Sequence, residues 1–494
     1  MDRISLKSNF IFNVIGTVLP VAIALVTLPI YISYIGTARY GILSIVWLIL
    51  GYFGFLDFGL SRAAANALAK ISHTSTEERA KVLMTSLYFN LFLGALGGVI
   101  LYFAGRILLP DLMTDSSPLR AEVEAALPWI GCMLPLALIA GVGRGAIQSR
   151  ENFFVLNVLD LIGFSLGQLL PIFLIIIAGP SLTVVIPAAF LARAASVGLT
   201  FAWVTRSERV RALLVFDQSR FKELFRFGAW VTVTNIIGPV LHSVDQLLVG
   251  SVLGATAVAH YSVPMSLVSR SQVLSTSLAT VLFPRFSRLK PDEAMLLATK
   301  AVLSLSYGSG VILAPAIVLG DVFLKVWIGA EFASQATFVL QLLLIGAWFN
   351  GVAYIPHSLL VGQGRPDLVA KLHAFECLPY IALLWFLLSH FGLRGAAFAW
   401  TARVVADAAL LFELSRFPLR QLLRVGPGIA LILISYFAVH VANFSNLGSF
   451  LFAGVVCVAF AGCAIAFDAT ARHVLLTIRT RLATTLGREE RAVR

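Results

Sequence analysis

The sequence predicts an all-α polytopic membrane protein with about fourteen transmembrane helices. Three observations lead there. Hydrophobic residues fill 59% of the 494 positions, above the roughly 45–50% of soluble domains. Charged residues fill 13%, about half the roughly 25% with which a soluble chain coats its surface. The apolar residues also gather into runs that reach the roughly 20 residues of helix needed to cross a bilayer core. This composition excludes a soluble enzyme, a disordered chain and a secreted disulfide scaffold. Cys132, Cys377, Cys457 and Cys463 lie in apolar stretches without zinc or redox spacing, so no disulfide is implied.

The first run, 10–35, follows a short polar start from Met1 to Lys7. It exceeds the roughly 7–15-residue core of a signal peptide and reads as an uncleaved first span. The later runs are 40–61, 82–105, 126–148, 155–179, 180–204, 227–250, 254–283, 298–320, 336–360, 368–391, 393–414, 427–445 and 447–467. Gly179-Pro180 marks the turn between the fifth and sixth, and 254–283 is long enough to be tilted or bent. Pro20 and Pro29 in span one and Pro239 in span seven kink their helices by removing backbone hydrogen bonds. They serve as hinges or as static packing kinks.

The distribution of basic residues orients these spans. With the N-terminus placed in the cytoplasm, the cytoplasmic segments hold 28 of the 37 Lys and Arg, the outside segments hold five, and four lie within spans. Cytoplasmic loops carry such an excess, so an even number of spans with both termini cytoplasmic is expected. The net charge of +12 is then mainly a topology signal, and no nucleic-acid partner is expected. The basic tail 468–494 reads as a helix on the inner leaflet or as a solvated end.

An internal repeat organises the spans. Asn13-Val14-Ile15-Gly16 is echoed by Asn235-Ile236-Ile237-Gly238, and Gly36 to Tyr40 by Gly254 to Tyr261. Gln148-Ser149-Arg150 is echoed by Gln363-Gly364-Arg365, and Ala189 to Arg193 by Ala399 to Arg403. Six spans per unit is an even number, so the two repeats are parallel, and transporters bind substrate between such repeats. The predicted plan is an N-terminal six-helix lobe (1–204), a cytoplasmic linker (205–226), a C-terminal six-helix lobe (227–414), an extra helix pair (427–467) and the tail. A central cavity between the lobes is expected.

Charges within spans are the candidate functional groups, because a charge at the bilayer centre costs about 2.5–3.5 kcal/mol on insertion scales. Arg193, Arg270 and Arg403 lie near the middles of their spans. Guanidinium forks bind phosphate through two parallel hydrogen bonds, which suits an anionic cargo such as a pyrophosphate. Arg403 and Asp407 are four apart on one helix face and could instead neutralise each other. Glu376 in span eleven is the candidate for proton coupling. Asp245 near the outer end of span seven could join an outer gate, and Asp57 and Arg62 could pair locally across Phe58 to Ser61. Arg144, Asp57, Asp160 and Glu413 lie near cytoplasmic span ends, where snorkelling or capping explains them. No HExxH pattern, ligand-spaced His cluster or Walker loop is present, and no outside segment is long enough for a catalytic domain. No metal or cofactor is expected, and the chain reads as a secondary-type transporter, not an enzyme.

Tyr40-Gly41 through Leu56-Asp57-Phe58-Gly59-Leu60-Ser61-Arg62 carries a resemblance, as do Phe227-Gly228-Ala229-Trp230 through Val244-Asp245-Gln246, Trp327-Ile328-Gly329, and Gly362-Gln363-Gly364-Arg365-Pro366. Across nearly its whole length the chain resembles the polysaccharide flippases of the multidrug/oligosaccharidyl-lipid/polysaccharide exporter superfamily. The resemblance implies a bacterial inner-membrane protein. It would move polyprenyl-pyrophosphate-linked oligosaccharide, a surface polysaccharide precursor, from the cytoplasmic to the periplasmic leaflet by alternating access. It also implies a cation-lined cavity, here with Arg270, Arg193 and Arg403, and an appended helix pair that could accommodate the lipid tail. Polysaccharide polymerases or glycosyltransferases are possible partners. Lipid II flippases of the same superfamily carry basic residues in spans one and two. Here span one has none and span two has only Arg39 and Arg62 at its edges, which weakens that alternative. A cation-coupled multidrug exporter usually has twelve spans and often an acid in the first, and this chain departs on both counts.

Overall fold

The computed structural model of the chain describes residues 6–52, 57, 60–71, 75–112, 117–150, 152–208, 241, 243–442, 444–468 and 472. These residues form helices and short connections, with no strand among them. A helix satisfies every backbone group within its own segment, as a bilayer core demands. Among the described residues, nine helices are long and apolar enough to cross a membrane. The chain divides into two compact units, Met1–Ala259 and His260–Arg494.

The first unit contains α1 (Leu6–Ile35), α2 (Thr37–Tyr52), α3 (Leu60–Lys70), α4 (Thr76–Leu112), α5 (Ser117–Ser149), α6 (Phe153–Ala178) and α7 (Leu182–Glu208). The short α8 (Ser243–Leu253) follows, and the unit boundary falls inside α9 (Ala255–Ser271). Helix α4 packs along α5, α7 packs against both α5 and α6, and α1 packs on α6. Leu68, Leu83, Val142 and Ile147 form a dry core where α3, α4 and α5 meet. On the other side of α4, Phe92, Leu96, Val99, Phe103 and Ile107 are exposed at three- or four-residue intervals. Such an outward stripe suits lipid, not water.

Two turns in this unit are built alike. Gly36 ends α1 with φ +81°, and Gly254 precedes α9 with φ +84°. The Gly36 N–H donates to Ile32 O at 3.0 Å, and the Gly254 N–H donates to Gly250 O at 3.1 Å. Only glycine adopts this left-handed conformation without steric penalty.

The second unit contains the rest of α9, then α10 (Val273–Phe286), α11 (Pro291–Trp327), α12 (Ala330–Gly362), α13 (Pro366–Leu414), the short α14 (Leu419–Leu422), α15 (Gly426–Val441) and α16 (Asn446–Phe467). The long run 254–283 divides at Gln272, whose Nε2 donates to Ala347 O of α12 at 3.0 Å. Helices α15 and α16 pack on α11. There Phe460 covers Gly310, where an added Cβ would stand 2.1 Å from the ring.

Helix α13 is two arms joined at Gly392, which has φ 59° and ψ −142°. His373 reaches Asp407 and Glu376 reaches Arg403. In a straight helix the latter pair would stand about 40 Å apart, at 1.5 Å per residue. The arms 366–391 and 393–414 therefore run antiparallel, close to the eleventh and twelfth runs read from the sequence.

Candidate functional site

The second unit gathers charge between the two arms of α13. Arg403 Nε lies 3.5 Å from Glu376 Oε2, with the two side chains 9% and 8% exposed. The Arg403 guanidinium also sits over the Tyr380 ring, 5.5 Å from its centroid. One turn along, His373 Nε2 lies 3.4 Å from Asp407 Oδ1. The His373 ring stacks on His357 of α12, with centroids 6.1 Å apart. Neither Glu376 oxygen accepts a well-formed hydrogen bond, and Arg403 Nε donates none. The carboxylates are thus buried and paired, but loosely. The sequence spacing offered Asp407 as the partner of Arg403; the ion pair that forms is with Glu376, on the other arm.

Around this cluster the helices are held by apolar packing. Ala353 and Leu360 of α12 meet Val369 and Leu372 of the first arm and Ala408 and Leu411 of the second. Burial of the cluster follows from that packing, because the charged residues share helix faces with these aliphatic ones.

The remaining candidates fall elsewhere. Arg270, in the last turn of α9, is half-buried, and its Nη1 donates to Ser266 Oγ at 3.4 Å. Arg193 lies in mid-α7, half-buried, and its Nε is sealed from solvent without a hydrogen-bond acceptor. Asp245 is fully buried in the first turn of α8, and its Oδ1 accepts from Gln246 N at 2.8 Å. Asp57 caps α3. Its carboxylate accepts from Ser61 N at 3.0 and 3.1 Å and from Ser61 Oγ at 2.9 Å. A carboxylate there satisfies backbone donors that a helix start leaves open. Arg62 belongs to α3, but its side chain lies outside the described residues.

Two ionic clasps in the first unit were not singled out from the sequence. Glu208, at the end of α7, is gripped by Arg79 of α4 and by Arg150 just past α5. Arg79 Nε and Nη2 donate to its two oxygens at 2.6 and 2.8 Å, and Arg150 Nε and Nη2 donate at 2.6 and 3.0 Å. Arg79 also donates to Leu68 O of α3 and to Ser149 Oγ. Arg79 and Glu208 are 0% and 1% exposed. At the opposite end of α7, Glu122 of α5 accepts from Arg39 Nε of α2 at 2.8 Å and from Leu182 N at 3.0 Å. The one signal in the sequence was that Arg79, Arg150 and Glu208 all fall in segments read as cytoplasmic. Separations of 58 and 129 residues carry no register that would pair them.

Apolar helices long enough to span a bilayer, with ion pairs buried among them, define an integral membrane protein of multi-pass type. Its fold is that of known transporters. It matches a lipid II flippase MurJ in an inward closed conformation with a TM-score of 0.73 at 14% identity, covering 92% of this chain and 99% of that one. It matches an inward-facing multidrug resistance MATE family transporter with a TM-score of 0.65 at 14% identity, covering 81% and 94%. The family model described as "Polysaccharide biosynthesis protein" matches residues 6–290, and the chain belongs to that family. A "Putative O-antigen transporter" of Shigella flexneri is 29% identical over 412 residues, 82% of this chain and 97% of the relative. The lipopolysaccharide biosynthesis protein WzxC of Escherichia coli (strain K12) is 24% identical over 388 residues, 75% of this chain and 72% of the relative.

Proposed function

We propose that this chain is a flippase that carries polyprenyl-pyrophosphate-linked oligosaccharide from the cytoplasmic to the periplasmic leaflet of a bacterial inner membrane by alternating access. The similarity to the Shigella O-antigen transporter over nearly that protein's full length is the observation that carries this reading. On this reading the chain has fourteen spans arranged as two parallel six-helix repeats plus an appended pair, with both termini cytoplasmic. The matching turns at Gly36 and Gly254 support the repeat, and the excess of Lys and Arg in alternate segments supports the orientation.

We assign the residues by their surroundings. Arg193, in the spanning helix α7, and Arg270, in the last turn of α9, are half-buried cations and serve as cargo contacts. Arg403 is held by Glu376 and Tyr380, so it belongs with Glu376, Asp407 and His373 to a coupling cluster. Buried ionisable groups within a membrane are retained for such roles, and loosely satisfied ones can change partner at low cost. Asp245 and the Asp57–Arg62 corner are assigned to gating, and polysaccharide polymerases or glycosyltransferases are proposed as partners.

Deletion in the native host tests the function. Lipid-linked oligosaccharide should accumulate on the cytoplasmic leaflet while surface polysaccharide is lost. Normal surface polysaccharide together with new sensitivity to cationic drugs would overturn the flippase in favour of a multidrug exporter.

A further inference from the structure

Helices α13 and α15 are joined by a turn that is anchored at both ends and open in between. Phe417 packs edge-on against Phe412, with centroids 5.1 Å apart, and Phe417 and Val425 are buried. Between them the chain coils through α14, where the Leu422 N–H donates to Pro418 O at 3.2 Å and the Leu423 N–H to Leu419 O at 3.0 Å. Leu419 and Leu423, one turn apart, are 72% and 69% exposed. Arg416, Arg420 and Arg424 recur at four-residue steps and are exposed as well. Arg424 is fixed from behind. Its carbonyl accepts from the Tyr307 hydroxyl of α11, and the Tyr307 ring stacks on Phe467 at the end of α16.

The apolar run Leu419–Val441 carries Arg420 and Arg424 in its first two turns, so these turns stand at the membrane surface and not in the hydrocarbon. There the exposed leucines reach acyl chains while the guanidinium groups reach the headgroup level. The three arginines have no ion pair or side-chain hydrogen bond among the described residues, whereas Arg403 meets Glu376 and Arg472 donates to the carbonyls of Ile465 and Ala466. Arg416 adds a backbone observation. It follows the last turn of α13 with φ 56°, and no other non-glycine residue among the described ones has a positive φ. Glycine is the ordinary occupant of such a helix end, and a side chain there is strained. A cation kept where glycine is favoured points to a use for its charge.

We propose that Arg416, Arg420 and Arg424 form a binding site for an anionic phospholipid, with Leu419 and Leu423 against its acyl chains. The occupant is a glycerophospholipid of net negative headgroup, such as phosphatidylglycerol, in the inner leaflet on the orientation proposed above. Its phosphodiester supplies acceptor oxygens to guanidinium groups that have none from the described residues. A zwitterionic lipid offsets that attraction with its own cation. Through Arg424 O and Tyr307, the bound lipid braces the junction of α11, α15 and α16. The site stands apart from the flippase reading, because a chain that moved no oligosaccharide would still hold this lipid.

The test titrates the delipidated full chain in detergent with phosphatidylglycerol or phosphatidylcholine of the same acyl chains, and counts bound lipids by native mass spectrometry. Phosphatidylglycerol should bind about tenfold tighter or more, since each basic residue at a membrane surface contributes about fivefold toward an anionic lipid. Arg420→Gln and Arg424→Gln should each lose about fivefold, while Arg420→Lys and Arg424→Lys, which keep the charge, should lose less. Arg365→Gln, at an exposed arginine between α12 and α13, should leave the affinity unchanged. Arg416→Gly separates use from structure. Without lipid it should melt no lower than wild type, because it relieves the left-handed residue, yet it should lose about fivefold in affinity for phosphatidylglycerol. This variant carries the test if a glutamine variant fails to fold. Equal binding of the two lipids by wild type, unchanged affinity in Arg416→Gly, or an equal loss in Arg365→Gln would each overturn the site. Tighter binding of geranylgeranyl diphosphate, lost in the same variants, would assign the arginines to cargo and overturn it too.

Discussion

The first unit binds its strongest charges near helix ends, whereas the second buries them between the arms of one hairpin. In the first, Glu208 and Glu122 are each clamped by arginine through hydrogen bonds of 3.0 Å or less, and each also joins several helices. In the second, Glu376 and Asp407 face Arg403 and His373 at 3.5 and 3.4 Å, with polar atoms left unsatisfied. Short bidentate pairs hold one geometry, and removing a partner strands a buried charge. Long, under-satisfied pairs hold no single geometry as firmly. The first arrangement fastens helices together. The second is suited to a group that changes partner as a transporter cycles.

Substitutions that treat the two regions alike separate these roles. Glu208→Ala strands Arg79 in a dry site, and a loss of about 3–5 kcal/mol is expected in thermal or denaturant unfolding. A loss below that of a surface mutation would break the contrast. Gly36→Ala and Gly254→Ala should each cost about 1–2 kcal/mol, because each forces a side chain into the left-handed region. Clearly unequal losses would show that the two turns are not equivalent. Glu376→Gln should cost only about 1 kcal/mol of stability yet abolish export, measured as surface polysaccharide in a complemented deletion strain. Full export by that variant would remove Glu376 from the coupling cluster. Arg39→Ala should have the smallest effect, about 1 kcal/mol or less, since the pair is partly open to solvent, with exposures of 33% and 16%.

Much of the fold was legible because spans are set by one-dimensional constraints. The run 155–179 became Phe153–Ala178, and the run 447–467 became Asn446–Phe467. Gly392 appears between the runs 368–391 and 393–414, where the helix turns back on itself. The partners of buried charges were less legible. The four-residue spacing of Arg403 and Asp407 pointed to a pair within one arm. Hairpin packing instead brought Glu376 to the guanidinium from the other arm, where both are desolvated. Periodicity names a face of a helix but not which helix it meets. For the same reason Arg144, read as a snorkelling residue near a span end, joins Asp160 of the next helix. Glu208 found Arg79 only through the packing of α4, α5 and α7.

The central claim is that this chain moves a lipid-linked oligosaccharide across a bilayer. The direct measurement is transbilayer movement of a prenyl-diphosphate oligosaccharide in vesicles that contain the purified chain, read by its accessibility to an external lectin. Movement should be faster than in protein-free vesicles, and Glu376→Gln should bring it back to that background. Equal rates in vesicles with and without the wild-type chain would contradict the claim.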